Sequence, residues 1–197
     1  MEELNLVSTL GSIGTTTNNH RIFYITEDID SFSIQNVISS IIEINKDDEN
    51  QEKLYSLEGH TYSRKPITIY VNSYGGSCYD GLSLIGVMAT SKTPIHTVAT
   101  GKVMSMGFAI AISGHTVAAT KYTTFMVHSV SSMAWGQTQT IEESLVESRR
   151  IEKVIFDLIT SHTSITPKKL KKINKAKQDW YFDENTALAL DVIHKII

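Results

Sequence analysis

Between residues 21 and 128, short β-like runs alternate with helix-periodic ones, and this alternation limits the possible fold more than any other feature of the chain. Residues 67–71 place Ile67, Ile69 and Val71 at every second position, the period of a half-buried strand. Residues 21–25, 94–100, 116–119 and 124–128 read as further strands, with Gly101 ending the run 94–100. Between them, Ile34, Val37, Ile38, Ile41 and Ile42 fall on one face of a helix opened by Asp30 or Ser31. Residues 79–91 give a second helix, with Leu82, Ile85, Gly86 and Ala89 on one face, and the apolar run 106–112 a third, buried one. The order β-α-β-α-β-α-β-β predicts an α/β domain with largely parallel strands. The polar stretch 45–63 reads as a surface loop or a continuation of the first helix.

Beyond residue 128 the pattern changes. Residues 140–162 form a long amphipathic helix with Ile141, Leu145, Ile151, Ile155, Leu158 and Ile159 on its apolar side. At 1.5 Å per residue such a rod reaches ~33 Å, long enough to project and pair with another subunit. Thr166-Pro167 starts a further helix, whose lysines over 168–177 face water. Trp180-Tyr181-Phe182 is a short aromatic strand or turn, Asp183 caps a last short helix, and 192–197 is a terminal apolar strand. Residues 1–20, rich in Gly, Thr, Ser and Asn, read as a flexible N-terminal arm.

Composition excludes several classes of partner. A net charge of −3 gives no support to a nucleic-acid surface. No apolar run reaches the ~18 residues that cross a bilayer. Cys78 is the only cysteine, so no internal disulfide forms, and the N-terminus lacks the basic region of a signal peptide. The expectation is a cytoplasmic protein, or one of an organellar stroma, with a single domain over 21–197.

Ser105 stands where the strand over 94–100 and its Gly101 give way to the apolar helix 106–112. Its hydroxyl there lies near unpaired backbone N–H groups that can bind a developing oxyanion. On this stretch alone a plain capping serine is the commoner occurrence. Val103 occupies the first glycine position of a G-x-S-x-G elbow, so that motif is absent. His128 and Asp179 also sit at element ends, where side chains converge. Ser, His and Asp are the types that nucleophilic acyl transfer needs: a hydroxyl, an imidazole to take and return its proton, and a carboxylate to hold the imidazole. Gly76, in the glycine pair that follows the strand over 67–71, and Met106 are placed to supply oxyanion donors. Asp183 rivals Asp179 but reads as a cap, and Cys78 reads as an inert thiol.

Four motifs in order resemble those of the ClpP peptidase family. They are Asn72-Ser73-Tyr74-Gly75-Gly76, Gly101-Lys102-Val103-Met104-Ser105-Met106-Gly107, Met126-Val127-His128, and Asp179-Trp180-Tyr181. The resemblance spans residues 20–197 and implies a ClpP/crotonase-like β-superhelix with a protruding handle helix at about 138–162. It implies a compartmentalised serine endopeptidase acting on unfolded polypeptides, with Ser105, His128 and Asp179 catalytic. Gly76 and Met106 would form the oxyanion hole, and Gly75, Ser129 and Val130 would bind substrate. It further implies heptameric rings stacked as a tetradecamer, an AAA+ unfoldase partner, and no cofactor or metal. Tyr74 replaces a proline of the family, Ser129-Val130-Ser131-Ser132 replaces Gln-Pro-Leu-Gly, and Asp191 stands where a late glycine is usual. Two other readings fit the same scaffold: a structural or regulatory subunit of a mixed ring, and a crotonase-type acyl-CoA enzyme.

Overall fold

Ile67, Ile69 and Val71 are fully buried and the residues between them are not, so the period-two pattern marks one strand of a covered sheet. In the computed structural model, which describes residues 21–131 and 135–197, the elements are β1 (Ile22–Ile25), α1 (Ser31–Leu57), β2 (Ile67–Ser73), α2 (Cys78–Thr90), β3 (Ile95–Met104), α3 (Met106–Ile112), β4 (Thr116–Ala119), β5 (Thr124–Val127), α4 (Thr138–His162), α5 (Pro167–Ala176), β6 (Trp180–Asp183), α6 (Glu184–Ala189) and β7 (Lys195–Ile196). The arm read over residues 1–20 lies outside the described residues, as does Ser132. The sheet runs β1-β2-β3-β4-β7, with β5 beside β3 and β6 beside β5. All pairings are parallel except β5 with β6. This is the α/β class that the alternation predicts.

Gly101 does not end its strand. It takes φ +58, and β3 continues to Met104. The first half of β3 lies between β2 and β4, and Lys102–Met104 pairs instead with β5. The β2–β3 register slips between Val71 and Ser73. Asn72 fills the slip: its Oδ1 accepts the Lys102 N–H at 3.2 Å and would lie 3.0 Å from a Cβ at Gly101. A residue with a side chain would be strained in the backbone and crowded against Asn72. This bend carries the end of β3 to β5.

Polar residues 45–57 extend α1 rather than forming a loop. Asp30 caps the helix, accepting the N–H groups of Phe32 and Ser33. The inward residue of its later half is Asp48, 1% exposed, which is why apolar periodicity misses it. Asp48 accepts from both terminal nitrogens of Arg21, from Tyr62 Oη at 2.8 Å and from Thr93 Oγ1 at 2.6 Å. Burial pushes its carboxyl up, but these donors outweigh burial and hold it below its ordinary 3.8. Asp48→Ala strands a largely buried guanidinium and is expected to cost about 3 kcal/mol, read as a lower urea midpoint. Because the folded value lies below the unfolded one, the wild-type contribution is complete above the unfolded value and lost as pH falls through the folded one. The wild-type midpoint should therefore fall towards that of the variant in acid.

At the C-terminal end, Thr166 and Asp183 cap α5 and α6 as read from the sequence. The terminal strand is shorter than 192–197, because Val192 and Ile193 pack into the core before β7 begins. Asp191 takes φ +53, a conformation that Asp tolerates better than most non-glycine residues. Its carboxylate accepts the Ser164 hydroxyl. The long helix starts at Thr138, two residues before its periodicity suggests and where the resemblance places the handle. Its buried residues, Ile151 and Ile159, both lie in its second half, and Leu145 and Val146 are exposed. Among the described residues no helix is long and apolar enough to cross a membrane.

Candidate active site

Parallel pairing brings the carboxyl ends of β2, β3 and β5 to one edge, where ligands bind in open α/β sheets. Beyond β2 come Gly75 and Gly76, beyond β3 comes Ser105, and beyond β5 comes His128. Antiparallel β6 runs back along β5, with Val127 opposite Trp180. The next position on each strand is His128 and Asp179, so the register sets them side by side. A cluster of aromatic rings ties the same elements together. Phe108 of α3 meets Phe125 of β5 and Phe182 of β6 edge-on at 6.2 and 6.0 Å, and Phe125 stacks on Phe182 at 5.4 Å.

Ser105 stands at the N-cap position of α3 without capping it. Its φ is +51 and its side chain makes no cap hydrogen bond. Its backbone N–H donates to the Met126 carbonyl at 2.9 Å, which leaves Oγ turned towards His128. The distance from Oγ to His128 Nε2 is 2.7 Å. His128 Nδ1 lies 3.7 Å from Asp179 Oδ1, with the side chains 27% and 50% exposed. The hydroxyl and imidazole are thus in hydrogen-bond contact, and the carboxylate stands within ion-pair reach but beyond hydrogen-bond length. Asp183 accepts the Thr186 N–H, which is a cap and not a partner for His128.

The glycine pair backs the serine. Gly75 has φ +109, and a Cβ there would meet Ser105 Cβ at 2.7 Å and the Met106 nitrogen at 3.0 Å. Gly76 has φ +146, and its Cβ would meet the Ile29 carbonyl oxygen at 2.3 Å. Ser73, fully buried, anchors the turn by donating to the Glu27 carbonyl and accepting the Gly75 N–H at 3.1 Å. Outside helix and strand ladders, neither Gly76 nor Met106 gives its N–H to a backbone acceptor among the described residues. Both residues line the cavity beside Ser105.

That cavity, about 300 Å³, is floored by Phe108, Met126, Ile155 and Ile159, from α3, β5 and the buried half of α4. Tyr74 stands exposed at its rim with Lys102 Nζ 4.4 Å from its ring centre. Cys78 also lines it, but burial pushes its thiol up, away from the reactive thiolate. Ser129 Oγ is buried with no hydrogen-bond partner among the described residues. Val130 lines the cavity too, and its N–H is taken by Glu152. Among the described residues no group of three or more His, Cys, Asp and Glu side chains is arranged to hold a metal ion.

The sequence reading missed Glu152, as well as the parts that Asn72 and Ser73 play. Asn72 and Ser73 stand inside a quoted motif, and a polar pair closing an alternating strand was the available signal. Glu152 gave none, since a glutamate on a charged helix reads as solvated.

A profile of the family described as Clp protease matches residues 11–197. The chain is similar to the protein named ATP-dependent Clp protease proteolytic subunit of Deinococcus radiodurans, 23% identical over 179 residues, 90% of this chain and 80% of that protein. The protein of the same name from Borrelia garinii subsp. bavariensis is 26% identical over 180 residues, 90% of this chain and 84% of that one. Another from Bacteroides fragilis is 31% identical over 101 residues, about half of each chain.

Proposed function

The chain belongs to the Clp protease family and is a serine endopeptidase, and we propose that Ser105, His128 and Asp179 are its catalytic triad. The observation that carries this reading is the 2.7 Å contact between Ser105 Oγ and His128 Nε2 at the shared carboxyl ends of the parallel strands.

In the reaction, Ser105 Oγ attacks the scissile carbonyl carbon while His128 Nε2 accepts its proton. The new oxyanion takes the N–H groups of Gly76 and Met106, which outside helix and strand ladders meet no backbone acceptor among the described residues. The imidazolium is stabilised through Nδ1–H by the negative charge of Asp179, 3.7 Å away and within ion-pair reach. His128 then gives its proton to the leaving amine, and the C–N bond breaks. Water repeats the sequence on the acyl-serine, releasing the acid and restoring the hydroxyl. The apolar floor of the cavity suits an apolar side chain preceding the cut bond. Gly75, Ser129 and Val130 line the approach of the substrate backbone.

Residues 21–197 act as one domain. The exposed apolar residues on the first half of α4, Ile141, Leu145 and Val146, support assembly through that helix. We extend this to rings of seven, stacked in pairs, that enclose the active sites and receive unfolded chains from an AAA+ partner in the cytoplasm or an organellar stroma. The peptidase step needs no cofactor. The test is incubation with a permanently unfolded polypeptide, with products read by mass spectrometry. Internal cuts yielding short peptides are expected, and an intact polypeptide overturns the reading.

A further inference from the structure

Glu152 lies on α4, and its two carboxylate oxygens reach in different directions. Oε1 accepts the backbone N–H of Val130 at 3.3 Å, and Oε2 accepts from Asn174 Nδ2 at 2.5 Å. Val130 is two residues beyond His128. Asn174 lies in the last turn of α5, which ends at Lys177 in a left-handed conformation (φ 49) and passes through Gln178 into Asp179. One carboxylate thus joins the loop leaving His128 to the helix delivering Asp179. It lines, with Ser129, Lys177 and Asp179, a second cavity of about 400 Å³, which shares His128 with the one beside Ser105.

The side chains of the pair do not hold each other. They stand 3.7 Å apart, and this is the one ion pair of Asp179, which is half exposed, among the described residues. Their separation is therefore set by the segments that carry them, and a bridge between those segments controls it. A carboxylate accepting from two amide donors is a strong choice for such a bridge. We propose that Glu152 is a positioning residue of the endopeptidase, fixing the separation of His128 and Asp179 by joining Val130 to Asn174. The inference rests on the triad reading above.

Chemistry at the bridge separates positioning from bulk charge. In Glu152→Gln the carbonyl still accepts from Val130, and the amide donates to Asn174 Oδ1 once the Asn174 amide turns over. Glu152→Ala removes both links. Small misplacements of catalytic groups cost rate more than binding. On a fluorogenic peptide, Glu152→Ala is expected to lower kcat about 10–100-fold with KM within about twofold, and Glu152→Gln to stay within about threefold of wild type. If Glu152→Ala folds poorly, Asn174→Ala opens the bridge from the other end and should show the same split. Wild-type kcat in both alanine variants overturns the inference, as does an equal fall in Glu152→Gln, which would assign the effect to charge. Wild type and Ser105→Ala are run alongside. Equal rates in those two defeat the triad reading itself, before any Glu152 variant is compared.

Discussion

Ser105→Ala is expected to lower kcat for peptide cleavage by at least about a thousandfold, with assembly and thermal stability unchanged. The hydroxyl is half-buried, caps no helix and, among the described residues, hydrogen-bonds only to His128, so its loss removes that one contact there. What remains is the cleft and the two N–H groups proposed to polarise the carbonyl. Those features alone leave residual catalysis over water when a triad member is absent. The measurement is steady-state cleavage of a fluorogenic peptide, with native mass spectrometry as the control for assembly. A loss of activity accompanied by a loss of assembly would assign Ser105 a structural role instead.

Gly75→Ala should be the next most damaging change. Its Cβ would sit 2.7 Å from Ser105 Cβ, 3.0 Å from the Met104 carbonyl oxygen and 3.0 Å from the Met106 nitrogen, and its backbone takes φ +109. Two of the three neighbours are main-chain atoms, which cannot turn aside as a long side chain can. Ser105 and the Met106 N–H are pushed outward together, so the proposed nucleophile and oxyanion site both lose their geometry. A fall in kcat of about 100-fold follows from displacements near 1 Å, with about 1–3 kcal/mol of backbone strain lowering the melting temperature. Gly86→Ala is the control, since a Cβ there meets nothing within 4 Å. Its activity should equal that of wild type.

The sequence carried most of the fold where one face of an element is apolar, as in β2, α2 and α3. It failed where a polar side chain does the inward work. The later half of α1 looks solvated because its buried residue is Asp48, satisfied by Arg21, Tyr62 and Thr93. Gly101 looks like a strand end because a left-handed glycine usually is one. The Asn72 side chain fills the register slip from the neighbouring strand, and pairing with β5 carries β3 on to Met104. Ser105, His128 and Asp179 were legible as residue types at element ends. Their proximity follows from the parallel β3–β5 pair and the antiparallel β5–β6 register, which depend on long-range pairing that no local pattern encodes. The 3.7 Å gap between His128 and Asp179 and the Glu152 bridge depend on loop conformations, which are further still from sequence periodicity.

The account turns on whether His128 activates Ser105. The rate of covalent labelling by a fluorophosphonate, with the modified residue located by peptide mass mapping, reads this directly. Wild type should be labelled at Ser105 alone, and His128→Ala should be labelled at least about a hundredfold more slowly. Labelling of another residue, or an undiminished rate in His128→Ala, would contradict it.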